Sequence, residues 1–170
     1  NYNGKNHLEK YLPSVIEHSS NCRIVVIDNA STDDSISFLN SSYKTIEIIL
    51  NDKNYGFAGG YNKGLEKLFN EKNIGTNPTY LVLLNSDVEV TKDWLLEPLK
   101  TLSNDDVAAC QPKIKAITSR QHFEHAGASG GYIDKYGFPF CRGRIFDSAE
   151  EDKGQYDSVQ EIFWATGACI

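Results

Sequence analysis

Apolar residues at helical spacing alternate with short apolar runs along the first hundred residues. Leu8, Tyr11, Leu12, Val15 and Ile16 recur at intervals of three and four, which predicts a helix over residues 5–18. Asn6 and Glu9 fit a capping box at its start, and Pro13 argues against a straight axis. Residues 22–27 are rich in β-formers and end at Asp28; the polar cluster 29–34 then turns the chain and caps a second helix over 34–39. Residues 45–50 read as the next strand, and 51–64 as a glycine-rich loop that passes into a helix ending at Phe69. The continuous apolar run 80–84 has the pattern of a strand buried on both faces of a parallel sheet. Helical spacing then returns over 91–102 through Trp94, Leu95, Pro98, Leu99 and Leu102.

Strand alternating with helix three times over predicts an α/β fold with a mostly parallel, doubly wound sheet occupying residues 1–106. From Val107 the pattern changes to short strands separated by Gly127, Gly130, Gly131, Gly137 and Gly143. Residues 107–170 are therefore expected to form a β-rich extension of the same domain. The acidic stretch 147–157 reads as a solvated loop.

Composition narrows the function classes. At 170 residues, 40% hydrophobic and 24% charged, the chain can bury one core. Its net charge of -6 and pI of about 5.2 leave no basic face to neutralise a nucleic-acid backbone, so no nucleic-acid partner is expected. The longest apolar runs fall far short of the roughly 20 residues a membrane helix needs, so no membrane segment and a soluble chain are expected. Cys22, Cys110, Cys141 and Cys169 are widely spaced, which predicts buried free thiols in a reducing compartment. The absence of any methionine makes the sequence read as a fragment cut at both ends.

In an open parallel sheet ligands sit beyond the carboxyl ends of the strands, so polar residues that close apolar runs are the first candidates. Asn1-Tyr2-Asn3-Gly4 looks like the tail of such a strand, Asp28 closes another, and Asn85-Ser86-Asp87 closes the run 80–84. Asp87 offers a hard oxygen ligand for Mg²⁺ or Mn²⁺, ions that take one or two carboxylates and complete their shell with water and substrate phosphates. Turn chemistry alone would also explain both Asp28 and Asp87. Gly56, Gly59, Gly60 and Gly64 could let backbone amides approach a diphosphate or ribose, although the segment has neither a P-loop ending nor the dinucleotide fingerprint. Asp87 does lie where that fingerprint places its acid, which keeps a nicotinamide-dependent oxidoreductase as the alternative. His122 and His125 are spaced by three rather than four, which favours hydrogen-bonded histidines over a metal pair.

Five blocks in order, Tyr2-Asn3-Gly4, 26–33, 54–64, 83–87 and 163–168, resemble the family 2 glycosyltransferases of GT-A, Rossmann-like nucleotide-binding fold, in particular the bacterial rhamnosyltransferase-like branch. The resemblance covers essentially the whole chain. It implies that Tyr2 and Asn3 lie at the nucleotide base and that Asp28, with Asn29 and Ser31 of the same block, holds the base or ribose. Asn54, Gly56, Gly59, Gly60 and Asn62 would line the nucleotide pocket together with Asn85 and Ser86. Asp87 would be the last residue of the metal-binding Asp-x-Asp motif, with Asn85 in place of the first acid. Trp164, Thr166 and Gly167 would form the floor between donor sugar and acceptor.

The same resemblance implies transfer of a hexosyl or deoxyhexosyl group from a nucleoside-diphosphate sugar to a saccharide or lipid-linked acceptor. The transfer would invert configuration, with a divalent cation (Mg or Mn) at the diphosphate, in bacterial cell-surface polysaccharide biosynthesis. A cytoplasmic location, including the inner face of the cytoplasmic membrane, goes with that role. The general base is expected after Ile170, so the catalytic residue is unknown here and the fragment alone is expected to be inactive. Asp147, Glu150, Glu151 and Asp152 are substitutes for it only if they are not a solvated loop. A nucleotide-sugar-binding remnant without activity is the remaining alternative.

Overall fold

The computed structural model describes residues 1–70, 78–124 and 128–170. The chain divides into two compact units, Asn1–Leu81 with Asn85–Lys92, and Val82–Leu84 with Asp93–Ile170.

In the first unit, helix α1 (Lys5–His18) runs through Pro13. Leu8, Tyr11 and Leu12, all buried, anchor the turns before the proline. The expected capping box is absent: Gly4 is the N-cap and makes no side-chain bond. The Lys5 amide instead donates to Asp33 Oδ2 at 3.0 Å, and Glu9 pairs with Lys5 Nζ at 2.8 Å. A carboxylate from a distant turn thus satisfies an open helix amide that a local cap was expected to satisfy.

Strands β1 (Val25–Asp28) and β2 (Glu47–Leu50) pair in parallel, with Val25 opposite Glu47 and Asp28 opposite Leu50. Helix α2 (Ser35–Ser42) connects them. Asn1 extends the sheet beside β1, its nitrogen donating to the Ile27 carbonyl and its carbonyl accepting from the Asn29 amide. The core gathers Leu8, Leu12, Val26 and Leu39.

Helix α3 (Gly56–Asn70) begins eight residues before Gly64, so Gly59, Gly60, Asn62 and Gly64 are helical and not loop. The pattern of glycines has a packing cause. A methyl on Gly64 would fall 2.5 Å from Ile27, and one on Gly60 would fall 2.9 Å from Asn29. Missing side chains let α3 lie directly on β1.

The run 80–84 departs from expectation. Tyr80, Leu81 and Val82 are exposed, and residues 82–84 belong to the second unit. There Leu83 exchanges two backbone hydrogen bonds with Ile170, and Leu84 forms a bridge with Cys169. A strand buried on both faces needs ladder partners along its length. Without them the parallel sheet has two strands among the described residues, and the expected doubly wound sheet is not formed.

The second unit also holds helix α4 (Leu96–Leu102), which starts later than its apolar spacing predicts. Asp93 adopts φ 60°, a left-handed conformation that stops helical hydrogen bonding from beginning at Thr91. The expected β-rich region is a four-stranded antiparallel sheet, β3 (Gly131–Ile133), β4 (Pro139–Cys141), β5 (Arg144–Ile145) and β6 (Ser148–Ala149), in sequence order. Tyr132 and Phe140 stack across β3 and β4 with centroids 5.7 Å apart.

Candidate functional site

The polar ends of the first unit are held together by side chains bonding to backbone. Asp28 is 1% exposed. Its Oδ1 accepts from the Ser31 amide at 2.8 Å, closing the turn after β1. Its Oδ2 accepts from the Ser31 hydroxyl at 2.7 Å and from Asn1 Nδ2 at 2.8 Å. Ser31 Oγ in turn accepts from the Asn3 amide at 2.9 Å. Asn3 sits at φ 48°, which aims its Oδ1 at the Thr32 amide, 2.7 Å away. The segment 1–3 is thereby strapped across the turn 28–33, leaving the Tyr2 ring about half exposed.

A second group of amides lies beside it. Asn29 is buried and its carboxamide is fully used: Nδ2 donates to Asn54 Oδ1 (2.8 Å) and to the Gly56 carbonyl (3.0 Å). Its Oδ1 accepts from the Tyr55 amide (3.1 Å) and Asn51 Nδ2 (3.2 Å). Asn51 Nδ2 also reaches the Gly60 carbonyl at 3.1 Å. Four hydrogen bonds exhaust what one amide can make, so Asn29 has nothing left for a ligand.

Asn85, Ser86 and Asp87 form a turn in the same unit. A methyl on Gly4 would lie 3.7 Å from Ser86 Oγ, so this turn abuts the start of α1. Val90, just beyond it, donates its amide to Ser14 Oγ of α1 at 3.2 Å. Asp87 is exposed. Among the described residues no three His, Cys, Asp or Glu side chains gather as a metal cage. A single exposed carboxylate fits a cation held jointly with substrate phosphates, and does not fit one held by protein alone.

Of the residues expected to line a nucleotide pocket, Tyr2, Asn3, Asp28, Asn29, Ser31, Asn54, Asn85 and Ser86 thus lie at the polar end of the first unit. The glycines divide differently. Gly56 opens α3 at φ 73° with open space around it, whereas Gly60 is buried against Asn29. Gly59 and Asn62 stand within α3. Asn1 falls in a candidate segment but received no role of its own, and Asn51 was passed over; the Asn-rich composition of 51–54 was the available signal.

In the second unit Trp164 lies against the backbone of Gly131 and donates Nε1–H to the Tyr132 carbonyl at 2.9 Å. One face of its indole therefore packs on protein. The Thr166 amide donates to Gln111 Oε1 at 2.7 Å, and Thr166 Oγ1 accepts from Ala168 at 3.3 Å, across Gly167.

The acidic stretch is largely exposed, as its composition predicts, with the Asp152 side chain as the exception. The Asp152 side chain is 4% exposed between Lys115 (2.7 Å) and Lys113 (2.9 Å). The Lys115 hydrogen bond, helped by Lys113 and the Gly154 amide, outweighs burial and holds its carboxyl down at about 2. Glu150 accepts from the Tyr156 hydroxyl at 2.9 Å, and Glu151 faces Lys153 at 3.3 Å. Asp147 is exposed. The His122 ring meets the Ser119 hydroxyl at 2.8 Å, while His125 and Gly127 lie outside the described residues.

The cysteines are free, but only Cys169 is buried; Cys22 is exposed and the other two are partly covered. Burial pushes the Cys169 thiol up to about 11. No helix among the described residues is long and apolar enough to cross a membrane.

A family model described as "Glycosyl transferase family 2" matches residues 1–151. No curated protein and no solved structure matches the chain.

Proposed function

Because the chain belongs to glycosyl transferase family 2, which implies a GT-A fold, a nucleotide-sugar donor and an acceptor, we propose that the polar end of its first unit is the donor-nucleotide site. The observation that carries this reading is the approach of the Asn85–Asp87 turn to Gly4, next to the strap of Asn1–Asn3 on the Asp28 turn. An exposed aromatic ring, Tyr2, and an exposed carboxylate, Asp87, thereby belong to one end of one unit. The family match weighs against the nicotinamide-dependent alternative.

The reaction is displacement at the anomeric carbon with inversion. An acceptor hydroxyl forms the new C–O bond while the bond to the diphosphate breaks, and the hydroxyl proton passes to a base. Asp87 would hold a divalent cation that neutralises charge developing on the departing diphosphate. Asp28, buried and already accepting three hydrogen bonds from Ser31 and Asn1, holds the shape of the base-side wall. Asp152 is paired with two lysines and is a poor proton acceptor, which weighs against it as the base. Trp164, Thr166 and Gly167, in the second unit, are proposed as sugar- or acceptor-binding residues from the family resemblance. The biological setting proposed is bacterial surface-polysaccharide synthesis by the rhamnosyltransferase-like branch, at the inner face of the cytoplasmic membrane.

Calorimetric titration with UDP, dTDP and GDP, with and without Mn²⁺, tests the reading. Binding of one of them that strengthens with Mn²⁺ is the expected result. Absence of binding to all three would overturn it, as would selective binding of NAD.

A further inference from the structure

Arg142 and Gly143 form the two-residue turn that joins β4 to β5, with Gly143 at φ 84°. The Arg142 side chain is held by two hydrogen bonds and two aromatic rings. Its Nε donates to the Ser129 carbonyl at 2.9 Å and its Nη1 to Gln160 Oε1 at 2.8 Å. The guanidinium carbon lies 5.3 Å from the Tyr132 ring centroid and 5.0 Å from that of Tyr156. The rings hold the cation by its faces, and the two hydrogen bonds fix its rotation. Gly130, at φ 101°, leaves room for Nη2, since a methyl there would fall 3.3 Å from that atom.

The cation so placed is half-buried, and among the described residues it makes no ion pair with a carboxylate. Its Nη2 donates to no protein acceptor among them. Glu150 accepts from the Tyr156 hydroxyl and from Gln155 instead. Asp152, the buried carboxylate of the same unit, is by contrast paired with two lysines. Drawing a charge partly out of water costs free energy that an opposite charge offsets. A locked guanidinium with donors left over matches the oxygens of a carboxylate or phosphate.

We infer that Arg142 recognises an anionic group, a carboxylate or a phosphate, on the acceptor sugar, through the N–H donors of Nη2. The inference rests on the sugar- or acceptor-binding role proposed for Trp164 and adds the charge that its ligand carries. Both residues flank the start of β3 within the second unit. Trp164 bridges to Gly131 and donates to the Tyr132 carbonyl, while the Arg142 amide donates to the Gly130 carbonyl and its guanidinium lies over the Tyr132 ring. Because the guanidinium is already held, it loses little freedom when a ligand arrives.

The probes are glucuronate, glucose 1-phosphate and glucose, titrated into the nitrogen-15-labelled chain and followed by NMR at the arginine Nε–H signals. The Arg142 signal is identified by its loss in Arg142→Lys. At least one anionic sugar should shift that signal and bind about tenfold tighter than glucose. A response to glucuronate alone names a carboxylate as the group recognised, and a response to glucose 1-phosphate alone names a phosphate. Arg142→Gln should remove the preference for the anionic sugar, and Arg142→Lys, which keeps the charge without the planar fork, should weaken it about fivefold. Gln160→Ala frees Nη1 but leaves the cation, and should weaken the anionic sugar about two- to threefold with glucose unchanged. If the Arg142 variants fail to fold, Gln160→Ala and the shift in the unaltered chain decide. Equal binding of glucose, no shift with either anionic sugar, or a preference that survives Arg142→Gln overturns the inference. A shift with UDP and with neither anionic sugar assigns the cation to the donor diphosphate and overturns the acceptor assignment. Anionic-sugar binding that needs Arg142 but is unchanged in Trp164→Phe rejects the Trp164 reading instead, so the two failures are distinguishable.

Discussion

Asp28 and Asp87 each close an apolar run, yet Asp28 is 1% exposed and accepts three hydrogen bonds while Asp87 lies exposed in its turn. In the same unit, one carboxylate shapes the protein and the other is offered to solvent. The difference lies in the donors that surround each residue. After Asp28, Ser31 supplies both an amide and a hydroxyl within one turn, and Asn1 arrives from the neighbouring ladder position. No comparable donor set among the described residues closes on Asp87. A carboxylate at a strand end is thus a ligand only where its local turn leaves it unsatisfied.

Three measurements break or sharpen that contrast. The largest effect is expected from Asp28→Ala, which strands the Ser31 and Asn1 donors and should cost about 3 kcal/mol of stability in urea unfolding. A loss under about 1 kcal/mol would show that the buried carboxylate is not structural. Asp87→Ala should leave stability within about 0.5 kcal/mol, as surface changes do. It should abolish the gain in nucleotide affinity that Mn²⁺ confers, on the order of tenfold or about 1.4 kcal/mol. A cation effect that survives the substitution would move the metal away from Asp87.

The smallest effect concerns a third carboxylate, Asp152, buried like Asp28 but held by lysines. Its folded-state value of about 2 lies below the ordinary 3.8. A depressed acid favours the folded form above its unfolded value, and that contribution disappears as pH falls through the folded one. The thermal midpoint of the unaltered chain should therefore drop between about pH 4 and pH 2 more steeply than that of Asp152→Asn. Parallel pH curves would contradict the pairing.

Much of the first unit is legible in its residues. Spacing of apolar positions gives α1 to its observed ends, and the apolar runs before Asp28 and Asn51 give β1 and β2 within a few residues. The glycines of 56–64 mislead, because a glycine-rich segment reads as loop when the same residues also serve a helix pressed on a strand. Only the contact with Ile27 and Asn29 distinguishes the two uses. Within the acidic stretch Asp152 misleads for a related reason, since Lys113 and Lys115 stand some forty residues before the carboxylate they neutralise.

The sequence by itself determined the family, the candidate carboxylates and the elements whose signal is periodic, because periodicity and ordered motifs are properties of neighbours along the chain. The tertiary structure decided which polar groups remain available. Asp28 is filled by its own turn and by Asn1, Asn29 by partners 22 or more residues away, and the Asn54 oxygen takes two donors while its side chain stays exposed. Hydrogen-bonding capacity is finite and is divided among whatever groups the fold brings within about 3 Å, and that division is fixed only when the chain has closed on itself.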